Sequence, residues 1–220
     1  MTQVCDGPGL TLLAAEDLVQ DCRMRGYREP AWVTPRSGAK VRPVDLAATL
    51  VVAAFVDLEA RGLLVLSLGQ QWSRVFGQFR AGPVWVTPTQ RAYTPGALGR
   101  LERDLLAGVI GGVDYQQWGG KGIPFQCVTI WRQRSVRGLF RHFTVINAVE
   151  EDLVDAGVLP AVTVSKWFRR RYPRASESAL LRLAPDIERW SSHWHAWLAS
   201  RPDIALPLLR DTAIRLVPRN

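Results

Sequence analysis

The chain has 220 residues, is 47% hydrophobic and carries 28 Lys and Arg against 20 Asp and Glu, a formal net charge of +8. It is long enough for one large domain or two small ones with a real core, and its charge directs attention to anionic partners: nucleic acid or a membrane surface. Cys5, Cys22 and Cys127 are scattered and odd in number, which fits a reducing cytoplasm better than a disulfide framework.

The N-terminus, MTQVCDGPGL, lacks the basic region and apolar core of a signal peptide. Thr11–Arg25 reads as a helix, with Leu12, Ala15, Leu18, Val19 and Cys22 on one face and Gly26 as its stop. Tyr27–Lys40 is a loop broken by Pro30, Pro35 and Gly38, with a short strand at Trp32 and Val33. Pro43 then suits a first helical turn, and Asp45 complements the helix dipole there. Leu46, Leu50, Ala54 and Leu58 form a stripe, widened by Val51 and Phe55. Gly62 ends this helix in the left-handed position, and Leu63–Leu68 follows as a strand. The apolar run Leu46–Val56 is too short to span a bilayer.

Gln71–Thr87 reads as a β-hairpin, with a turn at Ala81-Gly82 and a second strand from Val84. A helix followed by a hairpin is the recipe of a winged helix. Thr94-Pro95 opens the next helix, which runs to about Ile110 and ends at Gly111-Gly112. Pro124–Trp131 is a candidate strand, and Ser135–Asp155 a second strong helix with Leu139, Phe143, Ile146, Val149 and Leu153 inward. Ser176 is an N-cap, and Pro185 is expected to interrupt and restart the helix it opens. Trp190, Trp194 and Trp197 share a face, which reads as core. Pro202 ends that helix, and Ile204–Leu216 is a last helix broken or kinked near Pro207.

An internal repeat links the two strong helices. Asp57-Leu58-Glu59-Ala60-Arg61-Gly62-Leu63-Leu64 matches Asp152-Leu153-Val154-Asp155-Ala156-Gly157-Val158-Leu159. Each copy ends an amphipathic helix at a glycine and enters an apolar dipeptide.

No catalytic set assembles from the sequence, so no enzyme, cofactor or metal is expected. Gly119-Gly120-Lys121-Gly122 lacks the spacing of a phosphate-binding loop. His193 and His195 lie two apart on a helix and point to different sides. Cys127 and His142 have no orienting carboxylate. Glu150-Glu151-Asp152 reads as a solvated helix face.

Arginines carry the functional expectation. Arg74 and Arg80 lie on the first hairpin. Arg132, Arg134, Arg137 and Arg141 precede or open the second strong helix, whose N-terminus suits a phosphate. Lys166, Arg169, Arg170 and Arg171 lie where a second wing belongs, interleaved with Trp167, Phe168 and Tyr172. An Arg-rich composition alone accounts for the same charge, since lysine occurs only at positions 40, 121 and 166.

Asp45-Leu46-Ala47-Ala48-Thr49-Leu50, Asp57-Leu58, Arg61-Gly62, Glu102, Leu105-Leu106, Asp152-Leu153 and Gly157 resemble the paired winged-helix cytosolic region of a bacterial family of predicted membrane proteins of unknown function. The likeness covers roughly Arg42–Leu159. It implies a fold and no activity, and the membrane spans and extracytoplasmic region of that family are missing. A second resemblance is to the Golgi phosphoprotein family, helical proteins that bind phosphatidylinositol 4-phosphate. It rests on Arg61-Gly62, Gly157-Val158-Leu159 and Arg170-Arg171-Tyr172-Pro173. The N-terminal leucine run of that family is missing, and no lipid-binding residue is carried over.

The expected fold is α+β, mostly helical, with two winged-helix-like units and a C-terminal helical segment: residues 1–112, 113–175 and 176–220. The expected function is a non-catalytic nucleic-acid-binding or regulatory module. The alternative is a peripheral module for an anionic membrane surface or an acidic protein.

Overall fold

A computed structural model describes residues 5–22, 31–73, 78–89, 91, 95–113, 122–125, 128, 141–161 and 174–217. Among them are seven α-helices and two small antiparallel sheets, a mixed α/β architecture. In chain order the elements are α1 (Gly7–Leu13), α2 (Ala15–Leu18), β1 (Trp32–Val33), β2 (Lys40–Val41), α3 (Pro43–Ala60), β3 (Leu64–Ser73), β4 (Gln78–Pro88), a 3-10 turn (Pro95–Ala97), α4 (Arg100–Val113), β5 (Ile123–Pro124), α5 (Arg141–Asp155), α6 (Glu177–Ser200) and α7 (Pro202–Leu216).

The axis of the fold is α3. Every residue from Pro43 to Leu58 is buried, so the expected stripe is in fact a helix enclosed on all sides. Helices α1, α4, α5, α6 and α7 and strand β3 all pack on it. Burying each of its Leu, Val or Phe side chains contributes about 1.5–3 kcal/mol relative to exposure. One continuous apolar cluster joins α3 to Leu105 of α4, Ile146 of α5, Trp194 of α6 and Leu208 of α7.

The repeat has a structural counterpart. Gly62 and Gly157 both take positive φ, 70° and 69°. Leu63 N–H donates to Leu58 O at 2.9 Å, and Val158 N–H to Leu153 O at 2.8 Å, so both helices end in the same closed turn. The next step is also shared. Leu63 O accepts from Thr89 N at 3.0 Å, and Val158 O accepts from Ser176 N at 3.4 Å. In each half the carbonyl of the residue after the glycine accepts from a backbone N–H further along the chain.

Several boundaries differ from the sequence reading. The first helix starts at Gly7, because the Asp6 carboxylate caps it by accepting from Gly9 N at 2.7 Å and Pro8 sits in its first turn. It breaks at Ala14, and from Val19 the backbone is extended. Residues 19–22 then run beside α3, where Thr49 Oγ1 accepts from Gln20 N and Asp45 Oδ1 from Cys22 N.

The hairpin is longer than expected. Ser73 pairs with Gln78 and Leu64 with Pro88, so the turn falls within 74–77, outside the described residues. Ala81-Gly82 lies inside β4 at a bulge of that strand, where Gly82 and Pro83 stand against Gly69 alone, so a bulge residue has the composition of a turn. Helix α4 starts at Arg100 and runs through Gly111-Gly112 to Val113. A Cβ on Gly112 would stand 2.7 Å from Ile123 Cδ1, so this glycine admits β5, which pairs with β4 at Trp85 and Val86.

Helix α6 is continuous through Pro185, and α7 runs from Pro202 through Pro207. Ser176 Oγ caps α6 by accepting from Ala179 N at 3.3 Å. Its Trp face is core: Trp190 is 8% exposed, Trp194 0% and Trp197 7%. The expected Ser135 helix start and Leu139 lie outside the described residues, and α5 is described from Arg141. Among the described residues, no helix is long and apolar enough to cross a membrane.

Candidate functional site: a carboxyl junction and a basic ribbon

Two polar features stand out. The first is a junction where the starts of α1 and α4 meet the ends of α3 and α5. Asp57, which opens the first copy of the repeat, accepts from Gly7 N at 2.8 Å, the first residue of α1. Asp152, which opens the second copy, accepts from Arg100 N at 2.7 Å, the first residue of α4. Each aspartate also grips an arginine. Arg61 Nε and Nη2 donate to Asp57 at 3.0 and 2.8 Å, and Arg100 Nη1 donates to Asp152 at 2.5 Å. Carboxylates at helix starts offset the unpaired N–H groups and the dipole there. Asp152 is thus a structural cap and not part of a solvated face, although Glu151 beside it is exposed.

Asp6 and Glu102 complete the junction. Glu102 is 0% exposed and accepts from Gly99 N at 3.1 Å, one half of a capping box. A Cβ at Gly99 would collide with Asp6 Oδ2 and stand 2.9 Å from Asp152 Oδ2, so glycine is what lets these carboxyls approach. Burial, with the charges of Asp152 and Asp57, pushes Asp6 up to about 6, against the Gly9 N–H that favours its charged form. Burial, the Asp6 charge and a hydrogen bond to Asp57 push Glu102 up to about 10. Burial alone would raise Asp57 too, but Arg61, Glu102 and Gly7 N–H outweigh it and hold Asp57 below the ordinary carboxylate range. No group of three or more His, Cys, Asp or Glu among the described residues could hold a metal ion.

The second feature is the β1–β2 ribbon, in which Trp32 pairs with Val41 and Val33 with Lys40. The Trp32 ring lies 5.8 Å from that of Phe143, in the first turn of α5. Ala175 N donates to Pro35 O at 3.1 Å, and the Arg174 guanidinium lies over Gly38, where a Cβ would stand 3.0 Å from Nη2. The ribbon therefore touches the chain just after 129–140 and just after 162–173. It adds exposed Arg36, Lys40 and Arg174, with Arg36 3.8 Å from Glu16 and 3.9 Å from Asp17.

Of the arginines expected to bind anions, Arg80 lies on β4 at the register position opposite Gln71, and Arg141 is the first residue of α5. Arg74, Arg132, Arg134, Arg137, Lys166, Arg169, Arg170 and Arg171 lie outside the described residues. Cys127 also lies outside them, and burial pushes the Cys5 thiol up to about 11 and Cys22 up to about 12. Other arginines serve the scaffold. Arg201 donates to Glu59 at 2.7 Å and to Leu66 O, and Arg215 donates to Phe125 O at 3.1 Å and Val128 O at 2.5 Å.

Sequence reasoning placed the Trp32–Val33 strand, but missed Asp6, the role of Glu102 and the pairing of that strand with Lys40–Val41. A signal existed for the first two: Asp6-Gly7-Pro8 has the form of an N-cap, and Gly99 to Glu102 has capping-box spacing. No family model, curated protein or solved structure matches the chain.

Proposed function

We propose that the protein is a non-catalytic module of two winged-helix-like units that docks on an anionic membrane surface, its arginine-rich segments meeting phosphate-bearing headgroups. The observation that carries this reading is that the residues following both basic segments, Phe143 after 129–140 and Ala175 after 162–173, contact the same β1–β2 ribbon. In sequence those segments carry seven basic residues, Arg132, Arg134, Arg137, Lys166, Arg169, Arg170 and Arg171, and each runs directly into a further arginine, Arg141 or Arg174. Each basic residue brought near an anionic surface contributes about 1 kcal/mol of attraction.

Two further observations favour a membrane over a DNA groove. A winged helix reads DNA with a helix laid in the major groove. Helix α3 is enclosed by the fold, and the exposed positions of α5 from Phe143 onward are Thr144, Asn147, Glu151 and Asp155, of which two are acidic. In addition, the hairpin register sets Trp72 opposite Phe79, next to a connection that reads Arg74-Val75-Phe76-Gly77. Aromatic residues beside arginine suit the interface of a bilayer. The resemblance to the Golgi phosphoprotein family points the same way.

Co-flotation tests the proposal. Liposomes of phosphatidylcholine alone and of phosphatidylcholine with an anionic lipid are floated with the protein, and duplex DNA is titrated in parallel at low salt. The expected result is salt-sensitive capture by anionic liposomes only, lost in the R132E/R134E/R137E variant. DNA binding without liposome binding would favour the nucleic-acid reading, and binding to neither would refute both.

A further inference from the structure

The carboxyl junction holds four acids, Asp6, Asp57, Glu102 and Asp152, against two cations, Arg61 and Arg100. Both arginines are committed to aspartates. Glu102 Oε2 has the Gly99 N–H, but Oε1 is sealed from water and meets no hydrogen-bond donor. An ionised Glu102 would leave a buried, half-unpaired charge beside Asp57, which costs several kcal/mol. A proton on Glu102 satisfies that oxygen and lets it donate to the Asp57 carboxylate.

We propose that Glu102 holds this proton at neutral pH and shares it with Asp57, making the junction a proton-loaded latch on α1. The latch acts through Asp57, which binds the first N–H of α1, and Trp190 of α6 packs so close to Gly7 that a Cβ there would stand 2.6 Å from its ring. Release of α1 uncovers Leu12 and Leu13, both 0% exposed in the closed fold. The titratable and charged groups around the latch are Asp6 and Cys5 before α1, Asp57 and Arg61 on α3, Glu102 and Arg100 on α4, Asp152 on α5, and Arg182 and Asp186 on α6, which face Cys5.

The sign follows from linkage. Glu102 ordinarily titrates near 4.5 and here near 10, so the open form releases a proton that the closed form keeps. Closure is therefore strongest in acid and weakens as pH rises between those values, by about tenfold per pH unit for one proton. Asp6, raised from 3.8 to about 6, adds the same sign over its own narrower window and is ionised on both sides above it.

Hydrogen exchange of α1 tests this between pH 6.5 and 9 in wild type and in E102Q, whose amide still donates to Asp57. E102Q retains Cys5, Cys22 and every other titratable group, so it subtracts their contribution. The wild-type opening constant, corrected for intrinsic exchange, rises about tenfold per pH unit, and that of E102Q stays level. Parallel profiles overturn the proposal. If E102Q does not fold, infrared spectra of the wild type at pH 7 decide: the carbonyl band of a buried protonated carboxyl is expected, and its absence overturns the proposal.

Discussion

Replacing Gly157 by Ala isolates the helix end that the two halves share. Gly157 has φ 69°, and a Cβ built on it would find nothing within 4 Å. The whole effect is then backbone conformation. Placing an L-residue in the left-handed region costs about 1–2 kcal/mol. Removing glycine also narrows the unfolded ensemble, which returns about 0.4–1 kcal/mol. The expected net loss is about 1 kcal/mol, a fall in Tm of roughly 2–4 °C for a chain of this length. Gly62→Ala should match it to within a few tenths of a kcal/mol (about the error of such additions), because its one close neighbour, Arg91 Nη1 at 3.0 Å, ends a flexible exposed side chain. Asn at either position should recover part of the loss. Urea unfolding at pH 7 gives the comparison. A Gly157→Ala protein as stable as wild type would refute the reasoning, and so would a large difference between the two glycines.

Two further substitutions probe the polar contacts that seat the outer helices. Thr11→Val leaves the Trp190 indole N–H, now 2.7 Å from Thr11 Oγ1, buried without an acceptor; a loss of about 1–3 kcal/mol is expected by urea unfolding, and Thr11→Ser should restore most of it. Glu59→Ala removes the acceptor shared by Leu66 N, Trp197 Nε1 and Arg201 Nη1, which ties α3 to β3, α6 and α7. It should cost about 2–3 kcal/mol, more than Glu59→Gln. Equal stability of the two variants would show that the one acceptor oxygen kept by Gln adds nothing, against this expectation.

Local chemistry explains which elements could be read from the sequence. The bounds of α3, the glycines that close α3 and α5, the Ser176 cap and the buried Trp face all follow from periodicity or from a residue acting on its immediate neighbours. The errors have local causes too. Ala81-Gly82 has the composition of a turn, but β3–β4 pairing absorbs it as a bulge in β4. Pro185 was expected to break α6, yet it is exposed, and the carbonyl freed one turn earlier belongs to Leu181, itself 71% exposed and open to water. Asp6-Gly7-Pro8 read as a loop because the apolar face begins only after it.

The site was less legible. Asp6, Asp57, Glu102 and Asp152 are far apart in sequence and meet only because two helix starts dock on two helix ends. The sequence marked Asp57 and Asp152 as repeats of one another without revealing that both cap a helix. The Pro35–Ala175 hydrogen bond, which brings the residue after the second basic segment and Arg174 to the ribbon, joins residues with no shared pattern. The arginines were visible as charge, but whether a given one serves the scaffold, as Arg61, Arg100, Arg201 and Arg215 do, depended on the carbonyls and carboxylates that the fold sets beside it.

The central claim, the proposal that the two basic segments act together as one anion-docking face, is tested most directly by co-flotation of wild type, R132E/R134E/R137E and R169E/R170E/R171E with anionic liposomes. The account predicts that each triple variant alone abolishes most of the capture seen for wild type, with folding intact by circular dichroism, because both segments serve the same face. Full capture of both variants would contradict it.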